Sequence, residues 1–261
     1  MAAPIEVDID GRTVRLTNLD KVLYPSGFTK AEVVDYHLRI APTIIAHLAG
    51  RCITFRRYPD GTAAMVWAAN LAAIELHAPM ALAVDLDTPR TLVFDFDPGP
   101  KTSIVDCCEV AVGVRTVLDS VRLQGWCKTS GSKGLQLYVP LNTSGVTHEA
   151  TADFALAVGQ VMERQMPGRV TTVMAKVERP GKVFVDWSQN AHHKTTIAPY
   201  SLRARHDPTV STPVTWDEVE QCASSGVGLR FEAADVLARV EEHGDLFADV
   251  LILEQHLPST R

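Results

Sequence analysis

A chain of 261 residues, 46% hydrophobic and 21% charged, has the makeup of a globular enzyme able to bury roughly three quarters of its unfolded surface. No apolar run approaches the ~20 residues of a membrane span, and the opening Met-Ala-Ala-Pro-Ile-Glu has no signal-peptide core, so the expectation is a cytoplasmic protein away from membranes. The net charge of −6 is uneven: from His206 onward 11 Asp and Glu face 3 Lys and Arg, which leaves a slightly basic remainder and neither excludes nor demands a polyanionic ligand. Five cysteines, odd in number and without a CxxC pair, read as reduced thiols rather than zinc ligands or disulfides.

In chain order, Ile5 to Asp8 and Thr13 to Leu16 read as short strands across an Asp-Gly turn. Thr29-Lys-Ala-Glu32 is a capping box that opens a helix to about Ala41, and Pro42 is expected to start a second short helix through His47. Cys52 to Arg57 reads as a strand entering the turn Tyr58-Pro-Asp-Gly61. Ala63 to Leu76 is apolar nearly all round and predicts a buried helix closed by His77. Next come a strand over Thr91–Asp97, a helix over Ser103–Leu123 and a strand at Trp126–Ser130. After Gly131-Ser-Lys-Gly134 the chain returns as the strand Leu135–Val139. A long helix over Thr147–Gln165, a strand Val183–Trp187 and a capping box at Thr215–Glu218 follow, with helices filling the acidic end. Strands and helices interleave with hairpins, which favours α+β with mixed or antiparallel sheets over a doubly wound parallel sheet.

The strand Thr91-Leu-Val-Phe-Asp95-Phe-Asp97 delivers two carboxylates to one face, because side chains i and i+2 point the same way. Like charges so close are costly unless a cation or a shared proton offsets them, and hard divalent ions prefer such oxygen ligands. Lys182-Val-Phe-Val-Asp186 is a second apolar strand ending in an aspartate. Three carboxylates from two strands are a minimal ligand set for a pair of divalent ions; the plainer alternative for Asp186 is an aspartate that satisfies turn N–H groups. Ser130-Gly-Ser132-Lys133-Gly134 offers hydroxyls, backbone N–H groups and a cation suited to phosphate oxygens, without Walker spacing; glycine-serine hairpins are otherwise plain turns. Lys194, Arg203 and Arg205 form a basic cluster suited to a triphosphate, or simply a solvated loop. His192 and His193, adjacent in that loop, lack a third ligand nearby and read as solvent-exposed.

The stretches LTNLDKVLYP, RRYPDG, ANLAAIELH, LVFDFDPG, KTSGSKGLQLYVPL, KVFVDWSQN and KTTIAPYSLRAR together resemble the polymerase domain of bacterial ATP-dependent ligase D and its stand-alone primase-polymerase relatives. The resemblance runs from about Leu16 to Trp216. It implies an archaeo-eukaryotic primase-like fold with an RRM-like catalytic sheet packed on an N-terminal α/β part. The expected layout is a single domain over 1–261: N-terminal part about 1–90, catalytic core about 91–205, acidic helical part about 206–261. It further implies template-directed addition of NTP or dNTP to a primer 3′-hydroxyl in DNA end joining or gap repair, with two Mn²⁺ or Mg²⁺ ions. The implied partners are DNA, Ku and a separate ATP-dependent DNA ligase, and the implied location is nucleoid-associated. Residue by residue, Asp95, Asp97 and Asp186 fall on metal carboxylates and carry catalysis. His77, Ser130, Ser132, Lys133, Gln136, Lys194, Arg203 and Arg205 fall around the nucleotide, and Arg56 and Arg57 are the candidates for DNA contact.

Two departures set expectations of their own. Gln136 stands where the family usually has histidine; it can donate a neutral hydrogen bond but cannot become cationic, so turnover is weaker or Gln136 serves only as a donor. Between Gly61 and Met65, where relatives carry a substantial segment for 5′-phosphate and template contact, only Thr62-Ala-Ala64 remain. The chain carries no K-x-D-G ligase motif and reads as a free-standing or truncated polymerase module. The competing readings are a catalytically weakened relative that binds nucleotide or DNA ends, and, ranked lower, an Asp-nucleophile phosphatase using Asp-Phe-Asp.

Overall fold

The computed structural model describes residues 4–53 and 62–258. Most of the strand expected over Cys52–Arg57, and with it Arg56 and Arg57, lies outside the described residues. Strands β1 (Ile5–Ile9) and β2 (Arg12–Leu16) form a hairpin whose turn, Asp10-Gly11, has both residues at positive φ, the twist that two-residue hairpins prefer. Helix α1 (Lys30–Leu48) begins at the expected capping box on Thr29 and Glu32. It is one helix, not two. Pro42 faces solvent, where the carbonyl it leaves without an N–H partner meets water, while Tyr36, Ile40, Ile44 and Leu48 hold both halves in one core. Helix α2 (Thr62–Asn70) is shorter than the expected Ala63–Leu76, and its Trp67 and the following Leu71 are exposed. Ala72 takes a left-handed φ of 59° and ends the helix, and Asn70 ties that end to β2 by accepting from Thr17 N and donating to Arg15 O.

Three short strands follow: β3 (His77–Ala78), β4 (Ala81–Leu82) and β5 (Asp85–Pro89). The central unit then runs β6 (Thr91–Pro98), α3 (Ile104–Ser120), β7 (Trp126–Thr129), β8 (Leu135–Pro140) and α4 (His148–Gln165). It closes with β9 (Val170–Thr171) and β10 (Val183–Asp186). Beyond it lie β11 (Thr196–Ile197), β12 (Pro213–Val214), α5 (Trp216–Ser225), α6 (Ala233–His243) and α7 (Ala248–Ile252).

The main sheet has the order β12-β7-β8-β6-β10-β9, antiparallel except for the β10–β9 pair. The α+β class and the RRM-type sheet order, β7-β8-β6-β10, are as expected. The strand–helix–strand unit from β6 to β7 is split by β8, which lies between them. Leu92, Phe94 and Phe96 of β6 point toward α3 and α4 in the larger core, and burial of each phenylalanine is worth about 2 kcal/mol. The alternate residues, Asp95 and Asp97, therefore face the other side. A second core joins α1, α2 and α6 with Tyr200, Leu202 and Val210. The acidic end is not an appendage: β12 is an edge strand of the main sheet, and Asp245 receives a hydrogen bond from the Tyr200 hydroxyl.

Candidate active site

Antiparallel register places Asp186 opposite Asp95, Asp95 opposite Gln136, and Gln136 opposite Lys128. Directly opposed residues share a face, so a row of four polar side chains crosses four strands. Asp95 is buried, Asp97 reaches solvent one step further along β6, and Asp186 is half-buried. Desolvation, then the Asp97 carboxylate, pushes Asp95 up to about 7, against a hydrogen bond from Gln136 and the pull of Lys128. Asp97 is also raised, by partial desolvation first and Asp186 second, against Arg179.

Asp186 caps its own turn. Its Oδ1 accepts from Ser188 N at 3.0 Å and from Ser188 Oγ at 2.6 Å, the plainer turn-capping role expected of a strand-end aspartate. No hydrogen bond to Oδ2 occurs among the described residues, which leaves that oxygen for a cation. The Trp187-Ser-Gln-Asn190 turn is fixed by Asn190, whose amide bonds both Val93 N and Val93 O at 2.8 Å.

Gly131 and Gly134 explain the Gly-rich hairpin sterically. A Cβ on Gly134 would sit 2.3 Å from Phe96 O, and Gly131, at φ +65°, lies against Val210 and Ser211. Ser130 Oγ accepts from Gly134 N at 3.1 Å and from Ser132 N at 3.3 Å, and so holds the loop at the cleft edge. Across the cleft, β11 pairs with β3 and sets His77 opposite Ile197. Tyr200, strained at φ +65° but held by its hydroxyl on Asp245 and its carbonyl on Tyr36, aims the chain toward Arg203.

These elements line an open cleft of about 430 Å³. Asp95, Asp97, His77, Ser130, Ser132, Lys133, Gln136, Arg203 and Arg205 all line it, whereas Asp186 flanks it through the sheet and Lys194 does not line it. Sequence reasoning missed four residues. Arg179 lines the cleft beside Asp97, stacked at 3.7 Å on Phe184, itself the register partner of Asp97. Gln189 lines it with a buried Oε1 that lacks a partner among the described residues. Lys128, fully buried, donates to Gln136 Oε1 at 2.5 Å and to Ser211 Oγ at 2.7 Å, and burial holds its ammonium well below the ordinary lysine range. Glu75 contacts both His77 and Arg203. Glu75, Lys128 and Gln189 lie inside the stretches ANLAAIELH, KTSGSKGLQLYVPL and KVFVDWSQN without a role assigned there, and Arg179 lies outside them.

Gln136 is thereby assigned: its oxygen faces Lys128 and its amide faces Asp95. As for the carboxylates, no three acids, histidines or cysteines among the described residues enclose an ion by themselves. The donor set nonetheless fits hard divalent ions that also draw ligands from phosphate oxygens and water. Three oxygen-bearing acids sit together, one of them buried among like charges, and Lys128 and Arg179 draw Asp95 and Asp97 down only in part.

Fold and cleft together define the chain as an α+β domain of the primase-polymerase class. It superposes on the solved polymerase domain from Mycobacterium tuberculosis ligase D in complex with DNA with a TM-score of 0.81, at 36% identity over 91% of this chain and 98% of that one. Residues 62–247 match the LigD primase-polymerase domain model, and the chain belongs to that family. The multifunctional non-homologous end joining protein LigD of Mycolicibacterium smegmatis is 42% identical over 90% of this chain, and the Pseudomonas aeruginosa LigD is 30% identical over 79%. The chain spans about a third of the length of such curated relatives, 36% for the M. smegmatis protein. That alignment runs over 276 positions, more than the 261 residues here, so the relative carries residues within it that this chain lacks.

Proposed function

We propose that this chain, acting as one domain, is a divalent-metal-dependent nucleotidyltransferase that adds NTP or dNTP to a primer 3′-hydroxyl on DNA ends or gaps. The observation that carries it is the register of Asp186 on Asp95, with the cationic hairpin and Arg203 facing the same cleft. Asp95, Asp97 and Asp186 would hold Mn²⁺ or Mg²⁺, which when bound lower the pKa of the attacking hydroxyl and neutralise charge on the leaving phosphates. The remaining work belongs to the protein. Arg203 and Arg205 clamp the polyphosphate, Lys133 adds a mobile cation at the rim, and Ser130 and Ser132 offer hydroxyls along the hairpin. His77 closes the opposite wall. Gln136, pinned by Lys128, keeps one Asp95 oxygen hydrogen-bonded so that the carboxylate does not rotate away. In-line attack on the α-phosphate then gains chiefly from positioning and fixed charge.

Relatives named for non-homologous end joining support the same setting here; Ku and a separate ligase are the partners we propose for it. The test is primer extension with Mn²⁺ and single NTPs or dNTPs beside an Asp95→Ala/Asp97→Ala variant. Templated extension lost in the variant is expected; extension that survives it overturns the assignment.

A further inference from the structure

Glu75 precedes β3 and belongs to neither the carboxylate row nor the basic cluster. Its Oε2 accepts from His77 Nε2 at 2.9 Å, and its Oε1 accepts from Ala204 N at 3.0 Å and lies 3.2 Å from Arg203 Nε. One carboxylate thus joins the β3 wall of the cleft to the segment after β11. The side chain is only 24% exposed, and the His77 hydrogen bond above all holds it down at about 2, so it is ionised under all working conditions.

A negative charge in a cleft built for phosphates repels the ligand if charge alone matters. Its use lies in what it grips. Arg203 packs its stem against Gly131, where a Cβ would come within 2.7 Å of Cγ, and its buried Nε pairs by charge with Glu75 Oε1 without hydrogen-bond alignment. Among the described residues its Nη groups have no hydrogen-bond partner, which leaves the fork that binds phosphate oxygens bidentately.

We propose that Glu75 is a positioning residue for the nucleoside triphosphate, fixing the Arg203 guanidinium and the His77 ring beside each other in the cleft wall. This rests on the nucleotidyltransferase reading above. Charge and positioning predict opposite signs, which makes the test decisive. Binding of UTP with Mn²⁺ to the full chain is measured by calorimetry for wild type, Glu75→Gln, Arg203→Gln and the double variant, with thermal unfolding alongside. Positioning predicts that Glu75→Gln weakens UTP binding about tenfold, and that in the Arg203→Gln background the same change costs less than about threefold. Should Glu75→Gln fail to fold, Glu75→Asp, which keeps the charge but withdraws it by a methylene, takes its place with the same expectation. Tighter or unchanged binding in Glu75→Gln, or additive losses in the double variant, overturns the proposal while leaving the nucleotidyltransferase reading intact. A wild-type chain that binds no UTP overturns both.

Discussion

Replacing Asp95 by asparagine is expected to stabilise the metal-free protein while abolishing its activity. Asp95 is 7% exposed and lies beside Asp97 and Asp186, and burial followed by those charges raises it to about 7 from an ordinary 3.8. A folded-state value above the unfolded one means that the native protein binds the proton more tightly. The penalty is therefore absent below about pH 3.8, grows as pH rises, and is complete above about pH 7. Roughly three pH units at about 1.4 kcal/mol each give up to about 4 kcal/mol at pH 8. For a chain of this size that is on the order of 10 °C in Tm. An amide of the same shape carries no such penalty. Thermal unfolding in EDTA from pH 4 to 8.5 should show the Asp95→Asn and wild-type curves together at the acid end, with the variant pulling ahead through neutrality. Mn²⁺ should restore the wild type alone. A variant less stable than wild type at pH 8, or a gap independent of pH, would refute the crowding of charge on which the metal assignment depends.

Lys128→Met removes the cation that draws Asp95 down, so the pH midpoint for Mn²⁺ binding should move upward; fluorescence-detected titrations at several pH values would expose a downward shift. Gly134→Ala forces a methyl against Phe96 O and should cost about 2 kcal/mol by denaturant unfolding, with a change under 0.5 kcal/mol counting against the close crossing. Asn190→Ala breaks both bonds to Val93 and should cost about 2 kcal/mol or more, together with looser placement of Asp186 read as weaker Mn²⁺ binding; unchanged binding would separate that turn from the site.

The β6 carboxylates were legible in the sequence because their signal is local: a two-residue period and an apolar run that stops at charge. The basic hairpin and Arg203 were legible as short clusters of suitable chemistry. Lys128 was not, because its burial and its hold on Gln136 arise from cross-strand register between β7 and β8, which no local pattern encodes. Glu75 escaped for the same reason: Arg203 lies far along the chain, and only the β3–β11 pairing brings the two together. The errors in helix length have tertiary causes. Pro42 points to solvent while its neighbours are buried, so packing overrides a local breaker, and the all-round apolar run after Ala63 ends early because Asn70 is recruited by β2.

The proposed chemistry requires the three aspartates to hold divalent ions as a unit. Mn²⁺ stoichiometry, read by electron paramagnetic resonance at pH 8 with a non-hydrolysable nucleoside triphosphate, tests this most directly. Two ions per wild-type chain are predicted, with at least one lost in Asp97→Asn and in Asp186→Asn and primer extension reduced about a thousandfold in each. A wild type that binds no Mn²⁺, or an Asp186→Asn variant that keeps both ions and its extension rate, would contradict it.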